Sequence, residues 1–361
     1  MTDVFRWKNI VDGLKNKVLK YLLPIGAAVV LLYFSFRGIN WADFMDGLGH
    51  CRWAWILAAM ACGVLSFWLR ALRWRELLLP IDRSTTVRTS FNAINIGLLA
   101  NLALPRVGEF VRCGFVARHS DREGGQRAAS YDKVLGTVAM ERSLDVLTLL
   151  SLVAVVFFSM RRRFGGFLQD NIIDPLTLRF GSCLWVVFAC SACAFVLVLW
   201  GLRHFRKTGA GSTMYRFASG FVQGLASCFR MKRWWLFIAY TVLIWTMYWM
   251  MSFTVLKSVQ GMDAASLSAD LSGAVEALSR LGGTDALFLM LAGSLSSLVP
   301  VPGGFGAFHY IVASALSTIY GVPFGAGIMF ATLSHESQTV TQIICGGLSY
   351  MYEARFLVSR R

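Results

Sequence analysis

Charged residues are scarce in this sequence, at 15% of 361 residues against about a quarter in typical soluble domains. Acidic residues are the rarer sign, with 20 Asp and Glu against 35 Lys and Arg, and proline occurs only 7 times. This composition excludes a disordered chain, a fibre and a soluble enzyme with a large polar surface. Hydrophobic residues make up 56%, with 27 Phe and 12 Trp, and predict an all-α polytopic membrane protein.

The sequence motifs of nucleotide-driven and hydrolytic enzymes are missing as well. No GxxxxGK[ST] loop, no GxGxxG after a strand and no GxSxG elbow occurs. His335 and Glu336 begin a zincin-like pair, but Thr339 stands where HExxH requires a second histidine. The sequence therefore predicts no catalytic residue, no cofactor and no metal site, and favours a protein that is not itself an enzyme.

The net charge of +15 is best explained by the excess of basic residues that a membrane protein carries on one side of the membrane. On the topology below, 25 of the 35 Lys and Arg lie on the side of the N-terminus. Basic loops stay inside, so we expect both termini in the cytoplasm and the protein in a bacterial inner membrane. Nucleic acid is not expected as a partner.

Two broken segments, 89–117 and 286–320, are too short and interrupted to be simple spans. Basic loops, 70–88 and 118–133, flank the first on one side of the membrane, which predicts a re-entrant helical hairpin. Ordinary short spans, giving eight crossings, are the alternative. Six full spans are expected at 21–36, 53–69, 134–160, 181–201, 234–256 and 322–352.

The order of these segments predicts two halves of opposite orientation, each with two spans, a hairpin and a polar-bearing span. Such an inverted repeat with broken segments at matching places is the sequence pattern of a transporter's midplane binding site. We divide the chain into 1–202, the first half with the start of the second; 203–233, a cytoplasmic interfacial linker; and 234–361, the rest of the second half.

Ionisable residues at membrane depth are costly and mark functional sites or pairs that fix helix packing. Arg106, at the first hairpin tip, and Arg112 suit a phosphate, because arginine offers a planar fork of donors. Glu141 and Asp145 share one helical face and could hold Arg106. The ionisable residues expected to support this site are Glu109, Glu141, Arg142, Asp145, His309, His335 and Glu336. In the uncharged second tip, Gly303, Gly304 and Gly306 either expose N–H groups to an anion or simply permit the turn.

Several short motifs, in this order, give the chain its resemblance to a known family. They are RALRWRELL at 70–78, NLALPRVGEFVR at 101–112, MERSLD at 140–145 and PVPGGFGAFH at 300–309. Together they resemble the lysylphosphatidylglycerol synthase transmembrane-domain family, also called flippase-like, over roughly 20–355. The family pattern more often has glutamate at the position of His309.

The resemblance implies a lipid translocator, here without the aminoacyltransferase domain that some members carry. From it and the membrane arginines we expect a protein that binds and flips an anionic phospholipid or polyprenyl-phosphate lipid. The alternative is a membrane subunit of an aminoacyl or glycosyl transferase whose catalytic part is a separate cytosolic chain. A homo-oligomer is compatible with either.

Overall fold

The computed structural model describes residues 24–122, 129–160, 233–263 and 267–358, and every regular element in these ranges is helical. The all-α prediction is confirmed for this part of the chain. The predicted span 181–201 and all but the final residue of the predicted linker 203–233 lie outside the described residues. The helices are α1 Pro24–Phe36, α2 Trp41–His50, α3 Trp53–Leu78, α4 Val87–Ala103, α5 Val107–Arg122, α6 Tyr131–Ser159, α7 Trp234–Gln260, α8 Ala269–Ser279, α9 Gly283–Leu295, α10 Ala307–Tyr320 and α11 Phe324–Val358.

Three helices, α3, α6 and α7, are long and apolar enough to cross a membrane, with 26, 29 and 27 residues. At 1.5 Å per residue, even α3 is about 39 Å long, against about 30 Å of hydrocarbon. Two bent pairs qualify when taken together: α1 with α2, bent by 90°, and residues 271–279 with 283–298, bent by 110°. The described helices thus provide three spans, or up to five if each bent pair crosses once, and the chain is a multi-pass membrane protein.

The second span, predicted at 53–69, was placed too short. The helix α3 continues nine residues beyond Leu69. Apolar side chains continue at helical spacing there: Ala71, Trp74 and Leu78 are all fully buried. The basic segment that begins at residue 70 is therefore largely part of a packed helix rather than a cytoplasmic loop.

The first broken segment forms a pair of packed helices, α4 and α5, of 17 and 16 residues. Each is about 25 Å long or slightly less, shorter than the hydrocarbon layer. They meet at Gly97 and Gly108, where a Cβ on Gly97 would lie 2.8 Å from the Gly108 carbonyl oxygen. The Gly108 amide donates to Asn101 Oδ1 at 2.7 Å. This close crossing, with no room for a side chain, fixes the hairpin.

The second broken segment forms α9 and α10, joined by two short 3-10 turns at Ser296–Leu298 and Pro302–Gly304. Three glycines of this tip, Gly303, Gly304 and Gly306, have φ of 59°, 79° and 78°, which glycine adopts without the cost that a Cβ imposes.

The two hairpins meet each other at their tips. The turn Pro302–Gly304 contacts α4, and a Cβ on Gly303 would lie 3.2 Å from a methyl of Leu102. Gly306 packs against α1, where Ser35 Oγ donates to the Gly306 carbonyl at 3.2 Å.

The order long helix, hairpin, long helix occurs twice in the described residues. It runs α3, α4–α5, α6, and again α7, α9–α10, α11, with the short helix α8 preceding the second hairpin. The leading long helices α3 and α7 pack on each other, while α4 packs on α11 and α9 on α6. Each hairpin therefore packs against the closing helix of the other set.

Candidate functional site

Arg73 on α3 is fully buried, as is its partner Glu141. Its guanidinium donates to Glu141 Oε1 at 3.0 Å and to Asp145 Oδ1 at 2.7 Å. The two carboxylates lie one turn apart on α6, so one planar guanidinium reaches both. Thr241 Oγ1, on α7, lies 3.3 Å from the same group. Arg73 thus ties three long helices together.

Arg112 on α5 brings the first hairpin to the same carboxylates. It is 2% exposed, and its guanidinium lies 2.7 Å from Glu141 Oε2 and 2.5 Å from Glu109 Oε2. Its Cζ stands 4.7 Å from the ring centroid of Trp74, a cation–π contact. Glu141 is therefore held on one oxygen by Arg73 and on the other by Arg112.

Arg142 is the loosest member of the site, with 42% of its side chain exposed. Its guanidinium lies 3.4 Å from Glu141, 3.5 Å from Asp145 and 3.6 Å from Glu109. Three arginines thus face three carboxylates, and their formal charges cancel. The six residues, here called the charge network, are Arg73, Glu109, Arg112, Glu141, Arg142 and Asp145.

Two further arginines add positive charge that the network does not neutralise. Arg70, one turn before Arg73 on α3, is 8% exposed and makes no ion pair or hydrogen bond within the described ranges. It still lies near enough to interact electrostatically with Glu109 and Glu141. Arg106, at the turn of the first hairpin, is exposed, has φ of 62° and is likewise unpaired in the described residues.

A second cluster lies beside the tip of the second hairpin. His335 on α11 has Nε2 2.9 Å from the Gly303 carbonyl oxygen and Nδ1 3.0 Å from Glu336 Oε1. His309 on α10 has Nε2 3.7 Å from the same Glu336 oxygen. Both imidazoles are buried, and 40% of the Glu336 side chain is exposed. The ring of Phe308 packs on both histidines.

Comparison with known protein families shows to which family the chain belongs. The model of the family described as "Lysylphosphatidylglycerol synthase TM region" matches residues 21–346, essentially the whole chain. The chain belongs to that family. No curated protein and no solved structure matches it significantly.

Membership in the lysylphosphatidylglycerol synthase TM region family confirms the resemblance read from the motifs. The structure brings residues of three motifs, at 70–78, 101–112 and 140–145, into the charge network. The fourth motif, at 300–309, supplies Gly303 and His309 to the second cluster. No ion pair joins the two clusters among the described residues.

One predicted contact of the site is wrong. Glu141 and Asp145 hold Arg73, not Arg106, because α3 extends past Leu69 and carries Arg73 into the helix packing. Arg106 lies instead on the exposed turn of the first hairpin. The apolar residues of this segment continue at helical spacing, and those at 71, 74, 77 and 78 are fully buried. This spacing is the signal that would have assigned Arg70 and Arg73 to a packed helix rather than to a loop.

The sequence interpretation also missed a polar contact between α4 and α11. Asn92 Nδ2 donates to Glu353 Oε1 at 2.6 Å, and His119 Nε2 lies 3.6 Å from the other Glu353 oxygen. Glu353 is 6% exposed. This contact joins both helices of the first hairpin to the last helix of the chain and helps to position the hairpin.

Proposed function

We propose that this protein binds the phosphate headgroup of an anionic phospholipid or polyprenyl-phosphate lipid at the charge network and moves that lipid across the membrane. The observation that carries the proposal is Arg70, a buried arginine without an ion pair beside a network whose charges already cancel. None of the Arg70 nitrogens is among the fully buried side-chain atoms that lack a partner, so its guanidinium reaches the surface with free donors that an anion can bind.

The two arginines outside the charge network supply what a headgroup site requires. Arginine forks bind phosphate oxygens through two parallel donors, and Arg70 and Arg106 both have donors that no carboxylate of the described chain occupies. Arg142, the exposed arginine of the network, lies eleven residues into α6, about 17 Å along the helix axis. A polar group at that depth favours an opening that polar ligands can enter.

Translocation is supported by the arrangement of the helices. Two short hairpins whose tips meet, each packed on the closing long helix of the other set, fit an inverted repeat with six spans and two re-entrant segments. On this proposal both termini are cytoplasmic and the membrane is a bacterial inner membrane.

A labelling experiment tests the re-entrant arrangement. Exposed Arg83 precedes the first hairpin, and exposed Arg118 lies near the end of its second helix, α5. In a background without native cysteines, Arg83→Cys and Arg118→Cys should both react with a membrane-impermeant maleimide from the cytoplasmic side. Reaction from opposite sides contradicts the hairpin and the repeat.

A second candidate function is that of a membrane subunit for a lipid-modifying transferase with a separate cytosolic catalytic chain. The family description, which names a synthase, favours it. Fluorescent phosphatidylglycerol in proteoliposomes separates the two functions, because a translocator exposes inner-leaflet lipid to an external quencher without any partner. Movement by the purified chain alone, reduced at least tenfold in Arg70→Gln but not in Arg280→Gln, supports the first. Arg280 is a suitable control because it is an exposed arginine outside the network.

If the purified chain moves no lipid, the translocator proposal is wrong. If it moves lipid equally well with Arg70→Gln, the headgroup site lies elsewhere.

A further inference from the structure

The cluster of His309, His335 and Glu336 plays no part in the lipid proposal. One potential ligand atom from each residue lies within 4.8 Å of the other two. His335 and Glu336 come from the middle of α11, and His309 comes from the first turn of α10. Residues from two helices therefore converge beside the second hairpin tip.

The two ring nitrogens of His335 both face oxygen atoms, one of Gly303 and one of Glu336. Its Nε2 can only donate to the Gly303 carbonyl oxygen, 2.9 Å away. A neutral imidazole carries one N–H, so Nδ1 then presents a lone pair to Glu336 Oε1 at 3.0 Å. Two acceptors at this distance require a cation between them, either a proton or a metal ion.

His309 distinguishes between these two cations. It is 1% exposed, its Nδ1 is buried without a hydrogen-bond partner within the described ranges, and its Nε2 makes no hydrogen bond there either. Burying a polar group without a partner is costly. Its Nε2 points to the Glu336 oxygen that already faces His335, at 3.7 Å. A proton shared by His335 and Glu336 leaves Nε2 of His309 without a bond, whereas a metal ion binds this nitrogen together with the other two ligand atoms. Neither cation changes the surroundings of Nδ1.

We propose that His309, His335 and Glu336 bind a divalent transition-metal ion of the zinc class. Tetrahedral zinc with bonds of about 2.0–2.2 Å places neighbouring ligand atoms about 3.3–3.5 Å apart. The distances to Glu336 Oε1, 3.0 Å from His335 and 3.7 Å from His309, lie on either side of that value. Two histidines with one glutamate are also the ligand set of known zinc sites that keep a fourth position open.

The surroundings of the cluster suit a metal. Histidine ligands generally donate their other ring N–H to a carbonyl or carboxylate, as His335 does to Gly303. The rings of Phe305 and Phe308 pack against His335 and limit water on that side. Glu336 is exposed on the other side, which leaves space for a water or an anion as fourth ligand. The metal would also fix the second hairpin tip to α11 through the Gly303 carbonyl.

Metal binding can be measured without any lipid transport. The full-length protein, purified in detergent and treated with a chelator, is titrated with Zn²⁺, and bound metal is counted after removal of the excess. We expect one ion per chain and at least tenfold weaker binding in His335→Gln and in Glu336→Gln. His50→Gln is the matched control, because His50 pairs with Asp46 on an exposed surface, and it should leave binding unchanged.

X-ray absorption of the zinc-loaded wild type keeps the test independent of how the variants fold. Two imidazole nitrogens and oxygen ligands are expected in the first coordination shell. Absence of stoichiometric zinc, sulfur ligands in that shell, or equal loss in His50→Gln overturns the proposal. If zinc does not bind and the His335 and Glu336 variants instead change the pH dependence of thermal stability, the cluster holds a shared proton.

Discussion

The two hairpins, each a pair of short helices, are held together by different chemistry. The first is held by charge: Arg112 enters a network of three arginines and three carboxylates, and the turn itself carries Arg106. The second has no charged residue in its turn and relies on glycines with positive φ and on a carbonyl bonded to His335. A hairpin of two short helices therefore does not by itself imply one kind of ligand. On our proposals the first binds an anion, whereas the second brings together two imidazoles and a single carboxylate that bind a metal.

The largest effect is expected from breaking the charge network at Arg73. Arg73→Gln leaves Asp145 with only the exposed and more distant Arg142, and losing one partner of a buried pair costs roughly 3–5 kcal/mol. Thermal unfolding in detergent should show this as a large drop in melting temperature.

A double variant separates charge from packing at the same place. Arg73→Gln with Asp145→Asn restores equal numbers of both signs in the network and should recover a substantial part of the loss. A double variant no more stable than the single one would show that Arg73 acts through its packing rather than its charge.

The glycine crossing of the first hairpin ranks next. A Cβ on Gly108 would overlap the backbone of Gly97, so Gly108→Ala must separate α4 from α5, at about 1–3 kcal/mol or more. Gly114→Ala on the same helix is the control, because its Cβ would meet only Tyr131 at 3.9 Å. Alanine favours a helix by up to about 1 kcal/mol over glycine, so the control should be neutral or stabilising. Equal melting temperatures for both variants would mean that the hairpin is not closely packed.

At Gly304 the second hairpin should respond to backbone strain rather than to overlap. A Cβ on Gly304 meets nothing closer than 3.6 Å, but φ is 79°, which costs a residue with a Cβ about 1–2 kcal/mol. Gly304→Ala should therefore destabilise less than Gly108→Ala. Gly325→Ala, with an open surrounding and no positive φ, serves as the control. A loss larger than that of Gly108→Ala would reverse the ranking of the two hairpins.

The smallest effect concerns the loop that leads into the first hairpin. Burial favours a higher pKa for Asp82, but hydrogen bonds from Ser84 and Thr85 outweigh it and lower the pKa. A carboxyl whose pKa is lower in the folded than in the unfolded protein stabilises the folded state. This contribution is fully present above the unfolded pKa, about 3.9, and is lost as the pH falls from there through the folded pKa. Asp82→Asn should cost about 1 kcal/mol at pH 6. The melting-temperature gap to the wild type should narrow below pH 4, and a constant gap would contradict the assignment.

The sequence predicted the all-α class of fold and the places where the two broken segments turn, because apolar runs, Pro105 and the glycines of 300–306 are local signals. The network partners were harder to predict. Glu141, Asp145 and Arg112 were recognised as charges at membrane depth, yet Arg73 was assigned to a loop because basic residues usually end a span. The pairing of residues 73 and 141 depends on how α3 packs against α6, which no local pattern encodes. The contact of His309 with Glu336 is likewise a product of packing between helices distant in sequence.

The most direct test of the lipid proposal is headgroup binding at Arg70. Native mass spectrometry of the purified chain with equal amounts of phosphatidylglycerol and phosphatidylcholine reports the preference for the anionic lipid. The wild type and Arg280→Gln should both retain phosphatidylglycerol preferentially. Arg70→Gln should lose that preference by about tenfold, or about 1.4 kcal/mol, without a loss of melting temperature. An unchanged preference in Arg70→Gln would contradict the account, because the buried surplus arginine would then not be a ligand of the headgroup.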